Sequence, residues 1–222
     1  METSKTREPF KASYQTAPKK TAKQALPDGS QIKLSATTNV SINYSETRRR
    51  IRLFNGEARL TIHKDITWPF IVESRQASIR THEATFNIDQ RYGVTEVAVL
   101  EGAITISPIK QSKNKAKVEK GEMLKVTEHS TGSVKVFEIC AYKDWYSGYT
   151  QANNIRLPEL LAALNRFTTT PLITRGLDTG RLLVSGTYDL NHIENSVHLL
   201  SKSYNLKIIR EESHIALELL PE

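Results

Sequence analysis

The chain has 222 residues, of which 38% are hydrophobic and 25% charged, a balance typical of a soluble globular protein rather than a disordered one. Its net charge is +7, and its single cysteine excludes an intramolecular disulfide. No stretch approaches the roughly 20 apolar residues that span a bilayer, and the first residues lack the apolar core of a signal peptide.

Residues 1–25 are polar and show no hydrophobic periodicity, which predicts a linker or arm. Much of the positive charge lies in this segment. A second basic cluster, Arg48–Arg50, is interpreted as an exposed strand face, with contact to an acidic partner as the alternative. Neither cluster is accompanied by a nucleic-acid-binding motif, so no nucleic-acid partner is expected.

Residues 26–142 contain short segments that alternate apolar and polar side chains and are separated by turn residues, which predicts an all-β domain. A strand–glycine–strand pattern occurs twice, around Gly56 and around Gly102. We expect both glycines to be structural corners that permit a positive φ or a close backbone approach. Such corners indicate a solenoid-like or roll-like stack of short strands. Cys140 lies in an alternating segment and is expected to be a buried thiol.

Residues 143–222 change to helical periodicity. Leucines at 157, 160, 161 and 164 indicate one helix, and a second apolar repeat begins at Ile193. Short apolar runs that follow each helix indicate strands. This segment is therefore predicted to be a small α+β module made of two helix–strand–strand units.

Several phrases along the chain resemble the FecR family of membrane-bound sigma-factor regulators when they are taken in order. They are Leu26-Pro-Asp-Gly-Ser30, Arg48-Arg-Arg-Ile-Arg-Leu53 with Gly56-Glu-Ala58, Trp68-Pro-Phe-Ile-Val72, Thr85-Phe-Asn-Ile88 and Val97-Ala-Val-Leu-Glu-Gly102. Residues 143–222 resemble the short secretin/TonB N-terminal (STN) module through Trp145, Leu157-Pro-Glu-Leu-Leu-Ala-Ala-Leu-Asn-Arg-Phe167 and Leu183-Val-Ser-Gly186. One departure is Glu83-Ala84, which stands where the family often has Leu-Gly.

The resemblance implies a periplasmic domain of a single-pass inner-membrane protein in a Gram-negative bacterium. Such a domain receives a signal from the N-terminal signalling domain of a TonB-dependent siderophore transporter. The signal then passes to an extracytoplasmic-function sigma factor, which a cytoplasmic region outside this sequence would bind. The membrane would be contacted only through a transmembrane helix, also outside this sequence, and the domain alone is expected to be a monomer.

No catalytic motif, metal-ligand spacing or cofactor fingerprint occurs in the sequence, so no enzyme, metal or cofactor is expected. Partner binding is instead expected at edge strands of the α+β module, over residues 181–185 and 214–219. Leu182, Val184, Ile215 and Leu217 are the candidate contact residues, although each strand could equally lie inside the module's own sheet. The alternative function is a structural or oligomerisation module of a secretin- or transporter-type assembly.

Overall fold

A computed structural model describes residues 9–91, 93–142 and 144–220. The chain divides into two compact units, and each is considered by itself. Unit 1 comprises described residues up to 17 together with residues 21–141, and unit 2 comprises residues 18–20 together with described residues from 142. The division after residue 141 lies one residue before the end of the all-β region expected from the sequence.

Unit 1 is built from β-strands, as the alternating pattern predicted. In its described residues the strands are β1 (Phe10–Gln15), β2 (Ala22–Ala25), β3 (Gln31–Leu34), β4 (Asn39–Ser45), β5 (Arg48–Ile62), β6 (Phe70–Glu73), β7 (Ala77–Thr81), β8 (Ala84–Arg91), β9 (Val94–Pro108), β10 (Ala116–Glu119), β11 (Glu122–Val126) and β12 (Lys135–Val136).

The expected linker over residues 1–25 is wrong from Phe10 onward, while residues 1–8 lie outside the described residues. β1 pairs antiparallel with β4, and β2 pairs antiparallel with β3. Both strands alternate half-buried and exposed side chains. They were missed because their inward positions are occupied by small or aromatic residues such as Ala12, Tyr14 and Ala22, which give a weak apolar period.

Two long strands, β5 and β9, hold unit 1 together because each takes part in two sheets. We name these sheets by their strands: sheet A runs β1-β4-β5-β6-β7-β9-β10, and sheet B runs β2-β3-β5-β8-β9-β11-β12. One cluster of buried aliphatic and aromatic side chains fills the interior of the unit. The unit is not a solenoid of short strands, since its strand pairings are antiparallel except for β5 with β6, and β5 and β9 have 15 residues each. The roll-like alternative stays a prediction.

Gly56 and Gly102 lie where β5 and β9 pass from one sheet to the other. Gly56 has φ +95°, and a Cβ placed there would come within 2.6 Å of the Thr38 Cα. Gly102 has φ +74°, and its Cβ would come within 2.7 Å of the Glu83 carbonyl oxygen. Each glycine therefore supplies both a left-handed backbone and a close approach, inside one continuous strand rather than between two.

Unit 2 is a small α+β module. Its described elements are β13 (Tyr149–Arg156), α1 (Leu157–Asn165), β14 (Leu172–Arg175), α2 (Leu177–Arg181), β15 (Leu183–Asp189), α3 (Ile193–Ser203), β16 (Leu206–Arg210) and β17 (Ile215–Leu219), preceded by a 3-10 turn at Trp145–Ser147. β14, β17 and β16 form one sheet in that order, and β13 pairs with β15 in a separate ribbon. The sequence predicted neither β13 nor α2.

No helix in the described residues is both long enough and apolar enough to cross a membrane.

Candidate interaction surface

The predicted contact residues Ile215 and Leu217 lie in β17, which is the central strand of its sheet. β17 pairs with β14 on one side and with β16 on the other. Ile215 and Leu217 are buried, and both belong to the apolar core of unit 2. The expectation that this strand is an edge is therefore wrong, because its backbone groups already pair with two neighbours.

The other two predicted contact residues belong to the segment that enters β15. Val184 is fully buried and Leu182 packs against the same core, whereas Leu183 between them is 48% exposed. Successive side chains of a strand point to opposite faces. The sequence prediction chose Leu182 and Val184, which face the core, instead of the residue between them. The residue that faces solvent is Leu183.

The free edges of unit 2 are partly blocked by side chains that bind the backbone. The Tyr204 hydroxyl accepts a hydrogen bond from the Ser185 N–H at 2.6 Å and donates one to the Ser185 carbonyl at 3.0 Å. Ser185 lies opposite the register shift in β13, so β13 does not pair with it. A partner strand that paired along β15 would have to displace this tyrosine.

A similar cap occurs on β14, whose strand partner among the described residues is β17. The side-chain oxygen of Asn165 accepts from the Leu172 N–H at 2.7 Å, and its amide donates to the Leu172 carbonyl at 2.9 Å. Both caps satisfy backbone groups at a strand edge, which is how proteins limit unwanted strand addition. These caps therefore favour binding of a protein partner through side-chain contacts over binding through an added β-strand.

Three exposed aliphatic side chains of unit 2 lie in the segment from β14 through α2 to the start of β15. Ile173 is 41% exposed, Leu177 82% and Leu183 48%, all within eleven residues of chain. Leu177 is the first residue of α2 and follows Gly176, which has φ +86°. We call Ile173, Leu177 and Leu183 the apolar segment, and such side chains are the type that anchors protein–protein contacts when a partner pocket covers them.

The electrostatic surroundings of the apolar segment are mixed. Arg175 pairs with Glu211 across the exposed face of the three-stranded sheet, while Asp178 and Arg181 lie exposed on α2. A rim of charges of both signs around apolar side chains is the usual composition of a transient protein interface. Nearby, burial raises the pKa of Tyr188 to about 12, with a further contribution from Tyr204.

The sequence could have revealed only part of the apolar segment. Leu183 follows from the alternation of β15 once its parity is known. Leu177 carries no periodic signal, since α2 has five residues and includes Gly180. Ile173 was placed in a predicted strand, but nothing in the sequence shows that its side chain is exposed.

Unit 1 contains a buried polar cluster that links three of the sequence phrases. Arg49 is fully buried, and its guanidinium donates to the Asp28 carboxylate at 2.8 Å, to the His63 carbonyl at 3.0 Å and to the Trp68 carbonyl at 2.7 Å. It also lies 5.2 Å from the centroid of the Phe70 ring. The interpretation of Arg48–Arg50 as a uniformly exposed face is therefore wrong at Arg49, whose acidic partner lies within the fold.

Asp28 receives further hydrogen bonds from the Ser30 N–H and hydroxyl and from the Tyr44 hydroxyl. Burial by itself would raise the pKa of Asp28, but the hydrogen bonds from Arg49 and Ser30 outweigh burial and hold its pKa below the ordinary value. The cluster is structural: it fixes the turn before β3 and the loop between β5 and β6. It offers no open position for a substrate.

Cys140 is exposed, contrary to the predicted buried thiol, because the chain forms a turn there and β12 ends at Val136. Among the described residues no group of three or more His, Cys, Asp or Glu is arranged to hold a metal ion.

A cleft of unit 2 at the start of α3 includes His192 and Glu194 in its lining. Both side chains are engaged elsewhere, His192 with Asp189 and Glu194 with Arg210.

Comparison with known proteins gives one family and one fold. Residues 12–105, from β1 into β9, match the family model described as FecR protein. Among solved structures, two crystal structures of a "putative anti-sigma factor" from Parabacteroides distasonis are similar to the chain. The first has a TM-score of 0.85 at 19% identity and covers 96% of this chain and 100% of its own. The second has a TM-score of 0.84 at 20% identity, with coverage of 95% and 100%. No curated protein matches the sequence.

Proposed function

We propose that this chain, which carries a FecR-family domain at residues 12–105, is the periplasmic signalling part of a membrane-anchored sigma-factor regulator. It binds the N-terminal signalling domain of a TonB-dependent siderophore transporter. Through that contact it relays iron-uptake signals to an extracytoplasmic-function sigma factor. The role is one of recognition rather than catalysis, and it requires neither a metal nor a cofactor.

The observation that supports this proposal is the apolar segment of unit 2. Leucine or isoleucine side chains with 41–82% exposure forgo the free energy that burial would give, about 25 cal/mol for each Å² of apolar surface. A partner that covers Ile173, Leu177 and Leu183 recovers that free energy. The capped edges at Ser185 and Leu172 favour this side-chain contact over the addition of a partner strand.

The test is calorimetry with the purified chain and the isolated signalling domains of TonB-dependent transporters from the same genome. Saturable one-to-one binding to one domain is expected. Leu177→Asp and Leu183→Asp should each weaken it at least about tenfold, because each places a charge in an apolar contact. Leu199→Asp is the matched control, since Leu199 is 46% exposed on α3, outside the segment, and should leave the affinity unchanged.

Two results would count against the proposed function. A folded chain that binds none of the domains would contradict direct contact with the transporter. Self-association in analytical ultracentrifugation that Leu177→Asp abolishes would instead favour the alternative of an oligomerisation module. The proposed role predicts a monomer at micromolar concentration.

A further inference from the structure

The exposed face of sheet A in unit 1 carries an ordered line of positive charges. Strand register places one residue from each of seven strands side by side in a single row: Lys11, Asn43, Arg50, Ile71, Arg80, Thr105 and Lys117. The adjacent residues along the strands, such as Arg49 and Phe70, are buried, so this row lies on the outer face, where Ile71 is buried and the other six side chains are exposed or half-buried. A basic residue occupies every second strand.

The spacing of these charges follows from sheet geometry. Neighbouring strands lie about 4.8 Å apart, so basic residues on alternate strands are about 10 Å apart and the whole row spans about 30 Å. Lys11, which lies in the segment expected to be a linker, begins this row. Arg48 and Arg52 flank Arg50 on the same face of β5.

Most of these cations have no acidic partner. Lys11, Arg48, Arg52 and Arg80 form no ion pair within the described part of the chain, and all four are exposed. The two acids among the rows, Glu73 and Glu119, are already paired with Arg50 and Lys117. The face therefore keeps an excess of positive charge at neutral pH.

Apart from the buried Ile71, the uncharged positions of this row and of the neighbouring row carry a hydroxyl or an amide. Asn43 and Thr105 stand between the cations, and the neighbouring row contains Ser13, Ser41, Ser78 and Ser107. None of the residues in these rows is an exposed large apolar or aromatic side chain. The surface can thus pair with anions and form hydrogen bonds, but it offers no apolar anchor.

We propose that this cationic row binds an acidic polysaccharide whose charged sugars are separated by uncharged, hydroxylated ones. Alternate-strand cations match sparse charges along a linear chain, and the serine, threonine and asparagine side chains match the sugar hydroxyls between them. This activity goes beyond the signalling contact of unit 2 and does not depend on it.

Other polyanions fit the row less well. Single-stranded nucleic acid is held by a series of aromatic stacking platforms, and the two rows described above contain no aromatic side chain. Duplex DNA carries a charge about every 1.7 Å, far denser than the row. A planar lipid surface is disfavoured because sheets twist by about 20–25° per strand, so the ends of a seven-strand row do not share a plane.

The experiment measures binding of the full chain to fluorescently labelled hyaluronan fragments, which carry a carboxylate on every second sugar. Polyglutamate, a DNA duplex, anionic phosphatidylglycerol vesicles and neutral dextran are the comparison probes. Saturable binding to hyaluronan that is tighter than to every comparison probe is expected. The double variant Lys11→Glu/Arg80→Glu should weaken it at least about tenfold and lower its log–log salt slope by about two.

The matched control is Lys23→Glu/Lys135→Glu, which makes the same change in net charge on exposed strands of sheet B. It should retain hyaluronan binding within about twofold. Equal loss in both double variants would overturn the proposal, because binding would then follow net charge alone. Absence of hyaluronan binding, or equal or tighter binding to polyglutamate, DNA or the vesicles, would also overturn it. Thermal unfolding of each variant establishes that it is folded.

Discussion

The outer face of sheet A in unit 1 and the apolar segment of unit 2 expose opposite kinds of side chain. Unit 1 buries a charged network around Arg49 and presents hydroxyls and cations on the outer face of sheet A. Unit 2 has an apolar core and leaves Ile173, Leu177 and Leu183 exposed. Unit 1 also exposes Ile66 and Val136, so the contrast is between the outer face of sheet A and the apolar segment, not between the whole surfaces of the two units. The comparison indicates that the candidate binding surfaces of each unit are formed by the side chains that it leaves exposed.

The largest expected effect breaks the buried network of unit 1. Arg49→Met removes the cation and leaves the Asp28 carboxylate buried without its ion pair, which costs about 3–5 kcal/mol. Hydrogen exchange in urea, followed separately in peptides of each unit, should show a loss of stability in unit 1. Arg48→Met, an exposed neighbour on the same strand, should change the free energy of unfolding by less than about 0.5 kcal/mol. Equal effects of the two substitutions would contradict the network.

A second prediction concerns Gly56 in β5, one of the two strands that belong to both sheets. Gly56→Ala adds a Cβ into the Thr38 backbone at a residue with φ +95°, so strain and overpacking should together cost about 3 kcal/mol. Gly93→Ala is the comparison, since Gly93 also has a positive φ but nothing lies within 4 Å of the added Cβ. Its cost should be limited to about 1 kcal/mol of backbone strain. Urea unfolding of both variants measures the difference, which should come from contact at Thr38.

Unit 2 should respond more weakly to loss of a polar group. Tyr204→Phe removes the hydroxyl that binds the Ser185 N–H and carbonyl. Because Ser185 is exposed, water can replace that hydroxyl, so the free energy of unfolding should fall by about 1 kcal/mol. Tyr149→Phe, on the partner strand β13, is the control and should be neutral. An unchanged midpoint for Tyr204→Phe in chemical unfolding would argue against the edge cap.

The smallest expected effect is the acid response of unit 1. The folded-state pKa of Asp28 lies below its unfolded value, so its stabilisation is present above about pH 4 and is lost as the pH falls through the folded pKa. The free energy of unfolding of unit 1 should therefore decline between pH 5 and pH 2. Asp28→Asn should flatten that decline. A decline of the same slope in the variant would assign it to other carboxylates.

The sequence predicted which residues form strands and helices better than it predicted which of these elements lie side by side. Alternation identified the strands of residues 26–126 except β10, whose charged sequence was interpreted as a loop, and helical spacing located α1 and α3, because both periods are local. Position within a sheet is a long-range property. Nothing around Ile215 indicates that β17 lies between β14 and β16, and the parity that separates Leu183 from Val184 depends on which face of β15 the core covers. Arg49 was misplaced for the same reason, since Asp28 is 21 residues away in sequence.

The central claim is that the apolar segment of unit 2 receives the protein partner while sheet A stays outside that contact. Hydrogen–deuterium exchange of the chain, alone and saturated with the transporter signalling domain that it binds, tests this most directly. The account predicts slower exchange in peptides covering residues 172–185, with β1, β4 and β7 unchanged. Slower exchange in the strands of sheet A, with residues 172–185 unaffected, would contradict it.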